Sequence, residues 1–156
     1  MNLLERLPSV SRVFLDTAPV IYYVEENSHY LPRVEPVFSA LDNGMLTAVT
    51  SSVTLAECLV MPFRQGRSEL IEAFKDLIMA GDNTVFTSID GAVAEKAGEL
   101  RARYGLALTD AFQVAAALLS DCDIFLTNDI DLKRVVEIEV LVLDEVEDSP
   151  VEKRSH

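Results

Sequence analysis

The stretch from Leu108 to Leu132, LTDAFQVAAALLSDCDIFLTNDIDL, constrains the fold more than any other part of the chain. Its first half is apolar nearly all the way round a helix, which predicts a helix buried in the interior. A short β-type run, IFLT, follows and stops at Asn128 and Asp129. Asp110 therefore stands at the entrance of a core helix, and Asp129 at the exit of a core strand. A carboxylate in such a place needs a partner, a hydrogen-bond network or a metal.

Each of these acids also has an ordinary structural interpretation. Thr and Asp are favoured near helix starts, where an acidic side chain suits the helix dipole, so Thr109 and Asp110 fit a helix entrance. Asn followed by Asp is common turn chemistry after a strand, and Asp129 would also cap a short helix from Ile130 to Val135. A functional interpretation therefore depends on the rest of the chain.

The length and composition restrict the kinds of protein that this chain can be. The chain has 156 residues, 49% of them hydrophobic and 25% charged, which predicts one globular domain with a sizeable core. The absence of an 18-residue apolar run, and the charges at Glu5 and Arg6, predict a cytosolic protein with no membrane segment. Cys58 and Cys122 lie in apolar sequence without a CxxC motif, so we expect reduced, buried thiols.

The net charge of −13 restricts the partners. Nucleic-acid binders are usually basic, because neutralising phosphates supplies most of their affinity. An acidic chain can still act on phosphodiesters if its carboxylates hold divalent cations that meet the phosphate. The alternative is a partner protein with a basic segment.

Short apolar strands alternate with helices along the chain. We expect strands at 13–15, 46–49, 84–87, 124–127 and 140–143 and helices at 17–26, 33–42, 51–61, 68–80, 90–104 and 108–119. Thr17 is expected to cap the first helix, and Pro62 to stop the third. This order predicts an α/β fold, a three-layer α/β/α sandwich with a mostly parallel central sheet of about five strands. Residues 1–143 would form the single domain and 144–156 an acidic, polar tail that frays.

Two further acids occupy comparable places. Asp16 ends the first strand, and Glu57 is the only charged residue of the third helix, so we expect Glu57 not to lie on a fully solvated face. A capping box from Thr54 to Glu57 is the alternative, but it would leave barely two turns before Pro62. Ligands of open parallel sheets bind at the carboxyl ends of the strands, where the strand order reverses. The four acids should therefore converge on one edge of the sheet.

The order of these motifs resembles that of the PIN-domain nucleases, in particular the VapC-like toxins of toxin–antitoxin pairs. The similarity covers about residues 12 to 143 and rests on FLDTAPVIYYVE, TLAEC, LTDAFQVAAAL and FLTNDIDL, which contain Asp16, Glu57, Asp110 and Asp129. Members of the family place the last acid either in the T-x-D step or just after it. We expect Asp129 to be the fourth acid and Asp131 a helper or alternate metal ligand.

The resemblance implies a metal-dependent endoribonuclease. Carboxylates suit Mg²⁺ or Mn²⁺, and a water molecule activated by such a cation can attack the phosphorus without a nucleophilic Ser or Cys. The products would carry a 5′-phosphate and a 3′-hydroxyl. Thr17 and Thr127 are expected to orient the acids by hydrogen bonds. His29 is expected not to act as a general base, because it lies in a loop far from every motif.

The resemblance also implies partners: an RNA substrate, a cognate antitoxin and a second copy of the chain in a homodimer. The candidate phosphate contacts are four cations near the motifs, Arg64, Arg67, Lys133 and Arg134, and solvated helix ends are their alternative interpretation. A basic antitoxin segment would fit both the acids and the net charge.

Two other classes remain open. One is a binding module with a PIN fold that has lost catalysis, against which all four acids argue. The other is a phosphotransfer or phosphatase domain, which also places acids at strand ends. A dehalogenase-type site needs Asp-x-Asp after its first strand, but Asp16 is followed by Thr17 and Ala18. A receiver domain needs a paired acid before its phosphoacceptor and a late Lys, and neither arrangement is found.

Overall fold

The computed structural model describes residues 3–147, which form a five-stranded sheet between two layers of helices. All strand pairs are parallel and the order is β3-β2-β1-β4-β5, so the predicted α/β architecture is confirmed. The strands are β1 Arg12–Leu15, β2 Thr47–Ser51, β3 Thr84–Thr87, β4 Ile124–Thr127 and β5 Glu139–Val142. The helices are α1 Leu3–Arg6, α2 Thr17–Val24, α3 Leu31–Asp42, α4 Ser52–Gln65, α5 Ser68–Ala80, α6 Gly91–Tyr104 and α7 Leu108–Leu119, with 3-10 turns at Leu7–Ser9, Ile130–Arg134 and Leu143–Glu145.

The sheet separates two apolar cores, because successive side chains of a strand point to opposite faces. In β4, Ile124 and Leu126 enter the core beneath α2 to α5, whereas Phe125 enters the core beneath α6 and α7. Phe125 stacks there on Phe14 of β1, with ring centroids 5.1 Å apart. Both faces of the central strands β1 and β4 are thus buried, which explains their largely apolar sequences RVFL and IFLT.

The strand order reverses between β1 and β4. From the central strand β1 the chain builds outward through β2 and β3, then crosses over to place β4 on the other side of β1. Leu15 pairs with Leu126 at the carboxyl ends of these two strands, and the Asp16 amide donates a hydrogen bond to the Leu126 carbonyl at 3.0 Å. The residues that leave β1 and β4 therefore emerge side by side, in the crevice where ligands of such sheets bind.

Helix α4 departs from its predicted end. It continues through Pro62 to Gln65 and stops where Gly66 adopts a left-handed conformation with φ of 64°. Proline removes one hydrogen bond from a helix, but glycine in this conformation ends it and satisfies the last carbonyls. At its start, the Ser51 hydroxyl accepts hydrogen bonds from the amides of Val53 and Thr54. The capping box from Thr54 is therefore not the helix start.

The end of the domain also differs from the expected fraying at residue 144. Val146 is only 4% exposed and belongs to the core, and the Asp144 amide donates to Asn128 Oδ1 at 2.9 Å. An apolar side chain so close to the sheet is more stable buried than in water. The rest of the predicted tail, residues 148–156, lies outside the described residues. Within 3–147, none of the helices has the length and apolarity needed to cross a bilayer.

Candidate active site

Asp16 is the most deeply placed of the predicted acids. It lies between the end of β1 and the start of α2 and is 8% exposed. One carboxylate oxygen accepts from Thr127 Oγ1 at 2.7 Å and the other from Gln113 Nε2 at 3.2 Å. Burial raises the pKa of Asp16, and these hydrogen bonds act in the opposite direction. The side chain is held in place by neighbouring strands and helices, not by capping its own helix.

Gln113 links Asp16 to a buried polar network that the sequence interpretation missed. Its Nε2 also donates to Thr54 Oγ1 at 2.7 Å, and its Oε1 accepts a short hydrogen bond from the Ser51 hydroxyl. Thr54 in turn donates to the Leu15 carbonyl at 3.2 Å. Gln113 is the single polar side chain of the segment 111–117. A lone amide in a buried helix requires partners, and that requirement was the available signal.

Glu57 approaches the site from the first turns of α4. It is exposed, contrary to expectation, and so are Val60, Met61 and Phe63 further along α4. Its Oε1 nevertheless accepts a hydrogen bond from Thr17 Oγ1 at 2.7 Å. Thr17 is thus the first residue of α2 and a partner of Glu57, where the sequence predicted a helix cap.

Asp110 is the most electrostatically perturbed acid of the site. It lies half-buried in the first turn of α7, and its pKa is raised to about 6, first by burial and then by the negative charges of Asp16, Asp129, Glu57 and Asp131. Each charge opposes ionisation of its neighbour. The four other acids are therefore close enough to act on Asp110 together.

Asp129 and Asp131 follow β4 in different roles. Asp129 Oδ1 accepts from the Asp131 amide at 3.0 Å, which caps the 3-10 turn Ile130–Arg134 as its ordinary interpretation predicts. The Asp129 amide is itself held by Thr127 Oγ1 at 3.1 Å. Asp129 is partly buried, whereas Asp131 is exposed. The cap uses only one carboxylate oxygen of Asp129, and the side chain still lines the same pocket as Asp16.

These side chains form one pocket of about 300 Å³ at the reversal of strand order. Asp16, Glu57, Asp110 and Asp129 line it, together with Thr17, Tyr22, Thr127 and Asn128, and Asp131 lies outside the lining. In the part of the chain from 3 to 147, no basic side chain contributes to the wall. The four predicted acids are thus brought together, as the topology requires.

The chemistry of the wall fits a divalent cation. Its donors are hard carboxylate, hydroxyl and amide oxygens, which suit Mg²⁺ or Mn²⁺, and its negative charges lack a positive side chain to offset them. Within residues 3–147, however, no three Asp, Glu, His or Cys side chains form a closed metal-binding group. Carboxylates that repel one another are expected to stand apart, and a cation would draw them inward.

The family model of the PIN domain matches residues 13–138, most of the chain. This protein belongs to the PIN-domain family. The match spans all four acids of the pocket, from Asp16 to Asp129. The search of curated proteins gives no significant match.

Solved structures of toxin–antitoxin complexes and of one toxin have the same fold. A chain of VapBC2 from Rickettsia felis, bound to a promoter DNA fragment, is 18% identical with a TM-score of 0.66 over 84% of this chain and 98% of that one. VapC20 from Mycobacterium tuberculosis, described as a sarcin–ricin loop cleaving toxin, is 15% identical with a TM-score of 0.65 over 81% and 98%. A toxin–antitoxin complex from Klebsiella pneumoniae is 20% identical with a TM-score of 0.63 over 84% and 97%.

The cations predicted near this PIN-domain pocket lie outside its wall. Arg67 pairs with Glu69 at 2.9 Å and Lys133 with Glu145 at 2.5 Å. Arg134 donates to the carbonyl oxygens of Asp131 and Tyr104, at 3.0 and 2.7 Å. Arg64 is exposed near the end of α4, where its guanidinium approaches the Met61 sulfur at 3.9 Å.

The structure also shows the surroundings of His29 and corrects the expected burial of Cys122. His29 is exposed and lies outside the pocket wall, and its ring contacts Tyr30, which stacks on Tyr22 of that wall. Its expected lack of a role as general base stays a prediction. Cys122 is only partly buried, whereas Cys58 is buried, and both are free thiols. Burial raises the pKa of Cys122 to about 12, so this thiol is a poor nucleophile at neutral pH.

Proposed function

We propose that this protein is a Mg²⁺- or Mn²⁺-dependent endoribonuclease and the toxin of a toxin–antitoxin pair. The observation that carries the proposal is the convergence of four carboxylates at the switch point of a PIN-domain sheet, in a pocket whose described wall contains no basic side chain. Such a pocket attracts a cation and repels a bare phosphate, so phosphate chemistry there requires a metal.

The surroundings of each acid indicate the role that it would have in cation binding. Asp16, fixed by Thr127 and Gln113, would provide a ligand of constant position, and Thr17 would direct Glu57 toward the same cation. Asp110 and Asp129 would close the ligand set, with Asp131 as a more distant helper. When bound, a divalent cation lowers the pKa of a coordinated water molecule and offsets charge on the phosphate. Since the pKa of Asp110 is about 6, cation binding would release its proton and tighten as the pH rises through 6.

Arg64 is the candidate contact for the RNA backbone. It follows Glu57 by seven residues, so the two lie on the same face of α4 about two turns apart. The guanidinium would meet a phosphate on one side of the bond cut in the pocket. Arg67, Lys133 and Arg134 are weaker candidates, because each already has a partner in the folded chain.

Cleavage of labelled single-stranded RNA tests the enzymatic proposal. We expect cutting with Mg²⁺ or Mn²⁺, loss of cutting with EDTA, and a decrease of about a thousandfold in Asp110→Asn, the order expected when one charge-stabilising group is removed. Asp90→Asn is the matched control: Asp90 caps α6 by accepting from the Val93 amide at 3.0 Å, and Asn caps equally well. Cutting that persists in EDTA or in Asp110→Asn would contradict the proposal.

A metal titration separates the enzyme from a catalytically inactive PIN-fold module. Mn²⁺ should raise the melting temperature of the wild type and of Asp90→Asn, but much less that of Asp110→Asn, because binding to the folded state stabilises it. An inactive module would show no melting shift that depends on Asp110. A melting shift that depends on Asp110, without RNA cleavage, would support the metal site and show that the RNA tested is not the substrate.

An acidic groove on the surface of this protein is the candidate binding site for the expected antitoxin. The groove measures about 620 Å³ between α2, α3 and α5, and its wall includes Glu26, Glu35, Asp42, Asp76 and Asp82. Burial and three of these charges raise the pKa of Tyr23 in the same wall. A basic, partly apolar segment would fit this groove. Expression should arrest bacterial growth unless the antitoxin is present, and Glu35→Lys with Asp76→Lys should weaken the rescue and not the toxicity.

The expected homodimer also has a candidate surface. Val60, Met61 and Phe63 of α4 are 44%, 50% and 63% exposed. A contiguous apolar stripe on a soluble domain commonly marks an interface. Sedimentation should give a dimer for the wild type and a monomer for Phe63→Asp, and a wild-type monomer at micromolar concentration would contradict this assignment.

A further inference from the structure

A column of aromatic rings adjoins the acid pocket. Tyr22, which contributes to the pocket wall, stacks on Tyr30 with ring centroids 4.1 Å apart and planes inclined by 11°. His29 packs edge-on against Tyr30, with ring centroids 4.6 Å apart. The aromatic column, defined as these three rings, therefore runs from the wall of the pocket to an exposed imidazole.

Hydrogen bonds at both ends fix the column. The Asn27 side chain accepts from the amides of His29 and Tyr30 at 3.0 and 3.1 Å. At the other end, Asn128 Nδ2 donates to the Tyr22 hydroxyl at 3.1 Å, and the Tyr30 hydroxyl donates to Asp144 at 2.6 Å. The rings are thus positioned before any ligand arrives, which lowers the entropic cost of stacking on them.

A positive charge lies beside the middle ring of the column, outside the pocket wall. The Arg33 guanidinium lies 5.8 Å from the Tyr30 ring centroid and donates to the Leu143 carbonyl at 2.9 Å. Packing between α2 and the segment before α3 explains the contact between Tyr22 and Tyr30. It does not explain His29, which buries little surface and extends the aromatic surface outward.

We propose that the aromatic column is a nucleobase-binding subsite whose exposed end, the His29 ring, stacks a base of the RNA strand that is cut in the acid pocket. This inference rests on the proposed ribonuclease function and adds how the substrate is held. Single-stranded RNA is commonly bound by stacking its bases on Tyr, Phe, Trp or His rings. Such stacking contributes about 1–3 kcal/mol per base and tolerates any base, so the subsite suits an acidic protein that gains little from phosphate contacts.

A fluorescence titration tests the subsite without relying on cleavage. The chain contains no tryptophan, so His29→Trp creates a single reporter on the column. Adenosine monophosphate, which has no phosphodiester bond to cut, should quench that reporter saturably in the presence of Mg²⁺, whereas ribose 5-phosphate should not. Val85→Trp, on the far edge strand and 43% exposed in the wild type, is the matched control. Equal quenching of the two reporters, or quenching by ribose 5-phosphate alone, would overturn the proposal.

Steady-state cleavage kinetics provide the second test. We expect His29→Ala to raise KM for single-stranded RNA about fivefold, since loss of one stacked base costs at least about 1 kcal/mol. The kcat should stay within about twofold, and His29→Phe should restore KM because it keeps a ring. If the wild type cuts RNA and His29→Ala leaves KM unchanged, the subsite is wrong. If the wild type cuts nothing and Mn²⁺ gives no melting shift, the proposed function fails, and the nucleotide titration still decides the subsite.

Discussion

Asp16 and Asp110 share one pocket, but the protein holds them in opposite ways. Asp16 ends the central strand, is 8% exposed, and accepts hydrogen bonds from Thr127 and Gln113. Asp110 lies half-buried at the start of α7, and the charges of neighbouring acids help to raise its pKa to about 6. Burial raises the pKa of both, but hydrogen bonds oppose that effect at Asp16.

The surroundings of Asp16 are already satisfied by hydrogen bonds in the folded chain, whereas those of Asp110 would be satisfied only by a bound cation. The network of Gln113, Thr54 and Ser51 around Asp16 is satisfied in the folded chain, so that side of the pocket is rigid. The Asp110 side carries repulsion that a cation would relieve. We therefore expect substitutions on the Asp16 side to cost stability, and those on the Asp110 side to cost metal binding and activity.

Gln113→Leu should give the largest effect on stability. The change keeps the volume but leaves Ser51, Thr54 and the Asp16 carboxylate without a shared partner in a buried site. Each unsatisfied buried group costs about 1–3 kcal/mol, so we expect the free energy of unfolding to fall by about 3 kcal/mol in urea titrations. Gln65→Leu is the control at the exposed end of α4, with an expected change within about 0.5 kcal/mol. Similar values for the two variants would contradict a structural role for the network.

The same network marks the limit of the sequence interpretation. The four acids could be found because parallel strands end at one edge, which places Asp16 and Asp129 together wherever the strand order reverses. Gln113 was missed because its neighbours fit a buried apolar helix, and only the requirement that a buried amide be paired distinguishes it. Contacts between residues as distant as Gln113 and Ser51 depend on how α7 and α4 pack, which local sequence patterns do not contain.

The end of α4 was mispredicted, and the ring contacts of His29 were not predicted. Pro62 was expected to end the helix, but the glycine at 66 ends it, because a left-handed residue is a stronger stop than one missing amide hydrogen. His29 contacts Tyr30, which stacks on Tyr22 of the pocket wall, and these contacts depend on how the loop packs against α2. A competing local signal therefore decided the end of α4, whereas tertiary packing decided the contacts of His29.

Substitution of Asp129 and of Asp131, the two acids after β4, should show which of them acts in the pocket. Asp129→Asn should lower RNA cleavage about a hundredfold, the lower end of the range for loss of one charged group at a reacting centre. Asp131→Asn should lower it less than about threefold, because Asp131 is exposed and lies outside the pocket wall. Asn at position 129 can still accept from the Asp131 amide, so the fold should persist. The opposite ranking would make Asp131 the fourth acid.

The pH dependence of stability should reveal the strain at Asp110. Its folded pKa of about 6 lies above the ordinary value of 3.8, so its stabilising contribution is full below pH 3.8 and is lost as the pH rises through 6. After allowance for its partial exposure, the loss is about 1–2 kcal/mol. Without metal, Asp110→Asn should therefore be more stable than the wild type at pH 7 by that amount and about equal at pH 3.5. Urea midpoints across this range provide the measurement, and an equal difference at every pH would contradict it.

The hydroxyl of Thr17 should have a smaller effect, which acts through the position of Glu57. Thr17→Val removes the donor 2.7 Å from Glu57 and keeps the shape of the side chain, whereas Thr17→Ser keeps the donor. Because an orienting hydrogen bond contributes about 1 kcal/mol, we expect Thr17→Val to lower cleavage about fivefold at limiting Mn²⁺ and Thr17→Ser to change it little. Excess Mn²⁺ should restore the rate, since a misplaced ligand weakens cation binding without removing a charge. A loss that persists at saturating Mn²⁺ would instead place Thr17 in the chemical step.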